Sequence, residues 1–249
     1  MNRYYYDFHI HSCLSPCGDN DMTPNNIAGM ATLAGLNVAA LTDHNTCKNC
    51  PAFFAAAKAR GIVPVAGMEL TTAEEIHTVC LFERLEDAMA FDAYVSERRM
   101  RVKNNVKIFG DQLIMDEKDE VTGTDPWFLP AATDIMLDET PALTARFGGV
   151  AYPAHVDREA NGVIAILGAF PENEGFLNAE FAEAENRESY VGRYPALGRK
   201  RILVSSDAHN LWSIRDKSAY LELDDEPYSG DKIRSEIFRL LRRPVSGDK

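Results

Sequence analysis

Residues 4–11 read Tyr4-Tyr5-Tyr6-Asp7-Phe8-His9-Ile10-His11, an aromatic-rich run that ends on two histidines two positions apart. Side chains alternate along a strand, so His9 and His11 share one face and can reach a common point. The same grammar returns downstream. NVAALT (37–42) runs into Asp43 and His44, IVPVAGM (62–68) into Glu69, GGVAYPA (148–154) into His155, and RILVSS (201–206) into Asp207 and His209. TVCLF (78–82) and AYLEL (219–223) complete the predicted strands; His77 precedes its run and is placed at the mouth of that strand.

Helical patterns lie between these runs, which predicts βαβ units, a mostly parallel sheet and an α/β barrel. In such a barrel the strands end on one rim, where residues remote in sequence converge. Helices are expected after Thr23-Pro24, after Pro51, and from Thr133 to Gly148, with Gly35, Gly61 and Gly148 as stops and a break at Pro141. The rhythm changes at approximately 83–132. A charged helical stretch (85–103) is followed there by QLIMDEKDEVTG (112–123), which reads as a hairpin turning at Glu117-Lys118-Asp119. We take 83–132 as an insertion or lid within a single domain spanning 1–249, closed by an amphipathic helix over 231–243.

The bulk properties narrow the function. A formal charge of −12 disfavours long nucleic acid as a partner, because coating a phosphate backbone requires the opposite sign. No segment reaches the roughly 20 apolar residues that span a bilayer, and no secretion signal is evident, so a cytoplasmic location is expected. The odd count of five cysteines argues for reduced thiols. Cys47 and Cys50 form a C-x2-C, but no second pair completes a four-ligand zinc site. They read as buried structural thiols.

A lone histidine is ordinarily a hydrogen-bonded structural residue. Here all six belong to the strand-associated clusters and none is left on a helix face. Imidazole and carboxylate are the common protein ligands of zinc, manganese and iron, so the set points to a metal centre.

In order, His9-Ile10-His11-Ser12, Thr42-Asp43-His44-Asn45, Pro153-Ala154-His155 and Ser206-Asp207-Ala208-His209, with Glu69 in Gly67-Met68-Glu69, resemble the motifs of the PHP (polymerase and histidinol phosphatase) superfamily. The resemblance covers residues 6 to 209. It implies a distorted (β/α)7 TIM-like barrel carrying two or three divalent ions, zinc, manganese or iron. By that resemblance His9, His11, Glu69 and Asp207 hold one ion, and Glu69 bridges to a second on His77 and His155. His44 and His209 hold a third. The family's remaining third-site ligand, an Asp or His, is replaced at the corresponding positions by Pro16 and Cys17, so Cys17 is the candidate there. Asp43 is expected to orient a ligand.

The reaction so implied is hydrolysis of a phosphate ester by a metal-bridging hydroxide, with Glu69, Asp207 and Arg158 as the catalytic residues. Arg158, Arg187 and Lys48 are candidates for gripping phosphate. A small metabolite or nucleotide is the expected substrate. Trimming of short oligonucleotides in the 5'-3' direction is the alternative. Phe53, Phe54, Trp127 and Trp212 could stack a base, although such residues more often serve packing. An amidohydrolase also pairs a first-strand HxH with later histidines, but His44 and His209 fit the phosphoesterase better. A non-catalytic metal-binding module is the third reading.

Overall fold

The computed structural model describes residues 1–245. The elements are, in order, β1 (Asn2–Asp7), α1 (Pro24–Leu33), β2 (Val38–Leu41), α2 (Cys50–Ala59), β3 (Val63–Thr71), β4 (His77–Phe82) and α3 (Leu85–Ser96). Then come α4 (Val106–Phe109), β5 (Leu113–Met115), β6 (Val121–Thr124), α5 (Thr140–Arg146), β7 (Gly149–Pro153), α6 (Val163–Leu167), β8 (Asn178–Phe181), α7 (Arg187–Arg193), β9 (Arg201–Val204), β10 (Tyr220–Leu223) and α8 (Gly230–Leu241). No helix among them is long and apolar enough to cross a membrane.

Six strands form a curled sheet in the order β10-β1-β2-β3-β4-β7. Only β1-β2 and β2-β3 are parallel; β10, β4 and β7 each pair antiparallel with their neighbours, so the sheet is mixed where a mostly parallel one was expected. For β4 the cause is its link from β3, a tight turn at Thr72–Ile76 too short for a crossover helix, which turns the chain straight back. A parallel pair, β8-β9, stands beside this sheet. Val156 N donates to Glu180 O at 2.8 Å beyond β7, and His11 N donates to Ala208 O at 2.9 Å beyond β1. The pair thereby connects the exits of the two flanking strands and curls the sheet toward a barrel.

Both faces of the sheet are buried, which is why its strands read as near-continuous apolar runs. Alternation sorts them: Ala39, Leu41, Met68 and Leu70 pack with the helices α1, α2 and α3, whereas Phe8, Val38, Val65, Leu81 and Tyr152 form a second core with Ile233, Ile237, Phe238 and Leu241 of α8. The final helix is therefore amphipathic, as expected. Glu83 straps it down, accepting from Ser235 Oγ at 2.6 Å and Arg242 Nη1 at 2.9 Å.

Thr23 caps α1, and Gly35, Gly61 and Gly148 take positive φ where their helices stop. The third helix departs from expectation. It covers only Thr140–Arg146, so Pro141 lies in its first turn and initiates it without a kink. The charged helical stretch also ends early, at Ser96. Beyond it the chain extends, and Arg99 and Lys103 pair antiparallel with Thr133 and Trp127.

Two parts of 83–132 differ in character. α3 belongs to the packed helix layer, with Phe91 and Val95 buried and the Phe91 ring tilted against Phe82 at a centroid distance of 5.0 Å. Residues 97–132 form an arm that carries the hairpin β5-β6. The hairpin turn is where the sequence placed it, and its Asp119 accepts from Asn25 N at 3.1 Å, so the carboxylate sits on the N-terminal end of α1.

Candidate metal centre

The strand exits deliver the side chains. His9 and His11 follow β1, Asp43 and His44 follow β2, Glu69 lies near the end of β3, His155 follows β7 and Asp207 follows β9. His77 is the first residue of β4, and because β4 runs antiparallel to β3 its start lies on the same rim as the other strands' ends. The residue that broke the sequence rule thus reaches the same place.

Glu69 is the hub. Five histidines place a ring nitrogen against its two oxygens: His77 Nδ1 at 2.8 Å, His44 Nδ1 and His155 Nε2 at 3.0 Å, and His9 Nε2 and His11 Nε2 at 3.3 Å. Asp207 Oδ1 lies 3.1 Å from His11 Nε2 and 3.3 Å from His9 Nε2. Three groups bring their donor atoms within 4.8 Å of one another: His9 with His11, Glu69 and Asp207; His44 with Glu69 and His77; and His11 with His44 and His209. The first is the set the resemblance implied. His155 meets Glu69 beside His77, and His44 shares both of the other groups. Cys17 is exposed and belongs to none of them.

The tautomers decide what the first group can hold. His9 Nδ1 lies 2.7 Å from the Glu180 carboxylate, which only accepts, so Nδ1 carries the proton. Ser15 Oγ spends its hydrogen on Asp43 Oδ1 at 2.7 Å and therefore accepts from His11 Nδ1 at 2.9 Å. Both Nε2 atoms consequently turn lone pairs inward, 3.1 Å apart, onto two carboxylates. Asp207 Oδ1 is buried with no hydrogen-bond partner. Four lone-pair donors converging on one point require a cation, so these residues fit a divalent ion. Protons substitute for it in the metal-free chain. Burial works against the charged imidazoles, but Glu180, Asp207 and Glu69 outweigh it at His9, raising it well above its ordinary value, and Asp207 and Glu69 outweigh it at His11, raising it to about 9. Burial likewise opposes the Glu69 carboxylate, yet His77, His9 and His44 hold it well below the usual range. His44 and His209 are pushed down to about 3 and about 4, chiefly by burial and then by the neighbouring His11 ring, which favours the neutral imidazole a metal would need.

Glu180 escaped the sequence reading. It is buried on β8, a four-residue strand within LNAEFAEAEN (177–186), whose Ala/Glu content resembles an exposed helix. Asp7 was missed as well; its Oδ1 accepts from Ser206 N at 3.1 Å and His9 N at 3.3 Å and pins two ligand loops together. Asp43 reaches His11 through Ser15, whose hydroxyl donates to Asp43 Oδ1 and accepts from His11 Nδ1. Two residues of the cluster, His155 and Asp207, hold the left-handed backbone with φ of 25° and 52°. Such conformations cost free energy and persist where the surroundings enforce them, most often at functional sites.

Of the phosphate candidates, Arg158 reaches the centre and ion-pairs with Asp207 while its side chain stays 41% exposed. Lys48 pairs with Asp125 at 2.7 Å at the base of the arm. Arg187 opens α7 on the outer surface, in a groove with Glu185, Glu188 and Lys200 that contains none of the clustered ligands. Phe53 and Phe54 are core; Trp212, three residues past His209, is 89% exposed.

With this geometry in hand, residues 7–122 match the PHP domain family. A 5'-3' exoribonuclease of Haemophilus influenzae is 36% identical over 112 residues, which is 43% of this chain and 39% of that protein. Among solved structures, the lesion-specific endonuclease of Pyrococcus furiosus superposes with a TM-score of 0.67 at 16% identity, over 96% of this chain and 56% of that one. A protein of Bifidobacterium adolescentis assigned as a metal-dependent phosphoesterase superposes with a TM-score of 0.59 at 17% identity, over 95% and 96% of the two chains. The chain thus spans well under two thirds of the exoribonuclease and of the endonuclease, and the structural likenesses establish the α/β fold.

Proposed function

We propose, from the match of residues 7–122 to the PHP domain family, that the chain is a metal-dependent phosphoesterase acting on a nucleotide or another small phosphorylated metabolite. The observation that supports this best is the convergence of His9, His11, Glu69 and Asp207, with Glu69 touched by five histidines. Bound to these residues, divalent ions would supply Lewis-acid charge and bring a water's pKa toward neutrality. The protein's own contribution is positional. Glu180 and the Asp43-Ser15 relay fix the tautomers of His9 and His11, so the lone pairs are aimed before any ion arrives.

Arg158 is the residue that meets substrate at the rim. Its guanidinium is held beside Asp207 yet partly exposed, so it can exchange that partner for a phosphoryl oxygen and stabilise the charge that develops there. Trp212 offers a bare indole face near His209 on which a base can stack. Cys17 is left as an exposed thiol outside the three groups.

A second reading, 5'-3' trimming of short oligonucleotides, is favoured by the sequence match to the Haemophilus influenzae exoribonuclease and rests on the same centre. The test is phosphate release by the purified protein with manganese, zinc or iron, with and without chelator, across nucleoside monophosphates, sugar phosphates, bis-phosphonucleotides and short oligonucleotides. Chelator-sensitive release is expected, and the substrate that is turned over decides between the readings. No release from any of them with metal bound would overturn both.

A further inference from the structure

The arm crosses the loop that follows His44. Asn45 donates through Nδ2 to Leu129 O at 2.7 Å and Ala131 O at 2.9 Å, and Gln112 closes the base of the arm by donating to Asp125 O and Trp127 O, each at 2.8 Å. Inside this junction two cations share one carboxylate. Asp125 Oδ2 accepts from Lys48 Nζ at 2.7 Å and from Arg99 Nη2 at 3.3 Å, while its Oδ1 is spent on Trp127 N at 3.0 Å.

Arg99 is therefore poorly served. Its side chain is only 5% exposed, and both Nε and Nη1 are buried without a hydrogen-bond partner among the described residues. The other buried carboxylate nearby, Asp92, gives Oδ1 to Thr46 Oγ1 and Cys47 N. A guanidinium taken out of water with two of its donor nitrogens idle is a costly arrangement unless an anion completes it. Lys48, 32% exposed, provides the open side through which an anion can enter. The segment that leads on from Arg99 adds exposed Arg101, Lys103 and Lys107, in a chain whose overall charge is −12.

We propose that Arg99 and Lys48 form an oxyanion site, separate from the metal centre, that binds a phosphate group at the base of the arm. Arg99 has two idle donors, Nε on one edge of the guanidinium and Nη1 on the other, either of which can serve a phosphate oxygen, and the Lys48 ammonium adds charge beside it. The phosphate can come from a second phosphate or phosphodiester of the substrate, a variant that rests on the phosphoesterase reading, or from free phosphate acting on the arm. Because Lys48 follows the His44 loop and Arg99 belongs to the arm, either occupant joins the two.

The test begins on the chelated full-length protein, where hydrolysis plays no part and failure of the phosphoesterase reading does not matter. Inorganic phosphate at about a hundred times its dissociation constant should raise the melting temperature by roughly 5 to 10 °C. Lys48→Met should abolish that shift, as should Arg99→Met; Lys48→Met, at a partly exposed position, keeps the experiment decisive if the arginine variant does not fold. With metal restored, a rise of about tenfold or more in KM for a short oligonucleotide in Lys48→Met, larger than any fall in kcat, assigns the site to a substrate phosphate. An unmoved KM together with a lost thermal shift assigns it to free phosphate. No shift in the native protein, or an equal shift in both variants, overturns the proposal.

Discussion

Glu180 offers the sharpest examination of how this centre is built, because it acts only through two of the clustered residues, His9 at Nδ1 and His155 at its N–H. Its Oε1 stands 2.7 Å from His9 Nδ1, both side chains are buried, and Oε2 has no partner. In Glu180→Gln the amide keeps the volume but loses the charge that raises the basicity of His9. If the amide nitrogen takes the position of Oε1, it donates to Nδ1 and drives the imidazole proton to Nε2, where the lone pair is needed. Loss of such an orienting carboxylate typically costs 10–100-fold in metal affinity, equivalent to about 1.4–2.7 kcal/mol. Glu180→Ala should cost at least as much, since it also leaves a hole and an unsatisfied Nδ1–H. The assay is competition between the protein and a metal-indicator dye, with circular dichroism confirming that each variant is folded. A folded Glu180→Gln protein with wild-type affinity would refute the tautomer argument and leave Glu180 as a packing residue.

Glu69→Ala should abolish hydrolysis and most metal binding, because five histidines lose their common partner; retained activity would end the case for Glu69 as the bridge. The metal-free protein should lose stability between pH 6.5 and 9. His11 rises to about 9 on folding, so its contribution is fully present below its unfolded value and disappears as pH climbs through the folded one; metal-loaded protein should show no such loss, and melting curves across that range check both. Trp212→Ala should raise KM for nucleotide substrates by about tenfold, the value of one base stack, and leave sugar phosphates unaffected. Cys47→Ala should keep hydrolysis intact and lower the melting temperature slightly, since the buried thiol only donates to Gly67 O at 3.1 Å.

Much of the centre was legible because strand alternation and ligand chemistry act locally. His9 and His11 share a face by their spacing alone, and Asp207 and His209 end an apolar run. Strand direction was not legible. Nothing in Thr72–Ile76 announces that β4 returns antiparallel, and without that return His77 looked displaced when it is simply at the start of a reversed strand. β8 was hidden by composition, since Ala and Glu favour helix in isolation and only pairing with β9 makes the strand. Glu180 vanished with it. Arg187 shows the limit of residue type as a signal: a guanidinium suits phosphate, but α7 carries this one in a groove with Glu185, Glu188 and Lys200 that holds none of the clustered side chains.

The backbone explains why the centre tolerates so much converging lone-pair density. Asn45, His155 and Asp207 all adopt positive φ, each beside or at a ligand, and none is glycine. Each is held by partners that do not depend on an ion: Asn45 by Leu129 O, Ala131 O and Thr71 N, His155 by the Glu180 carboxylate at its N–H, and the loop before Asp207 by Asp7. The cost of these conformations, on the order of 1–3 kcal/mol each, is thus borne by the surrounding hydrogen bonds. It follows that the ligand geometry is set when the chain folds, and that removing metal should leave the fold in place while changing the protonation of His9 and His11.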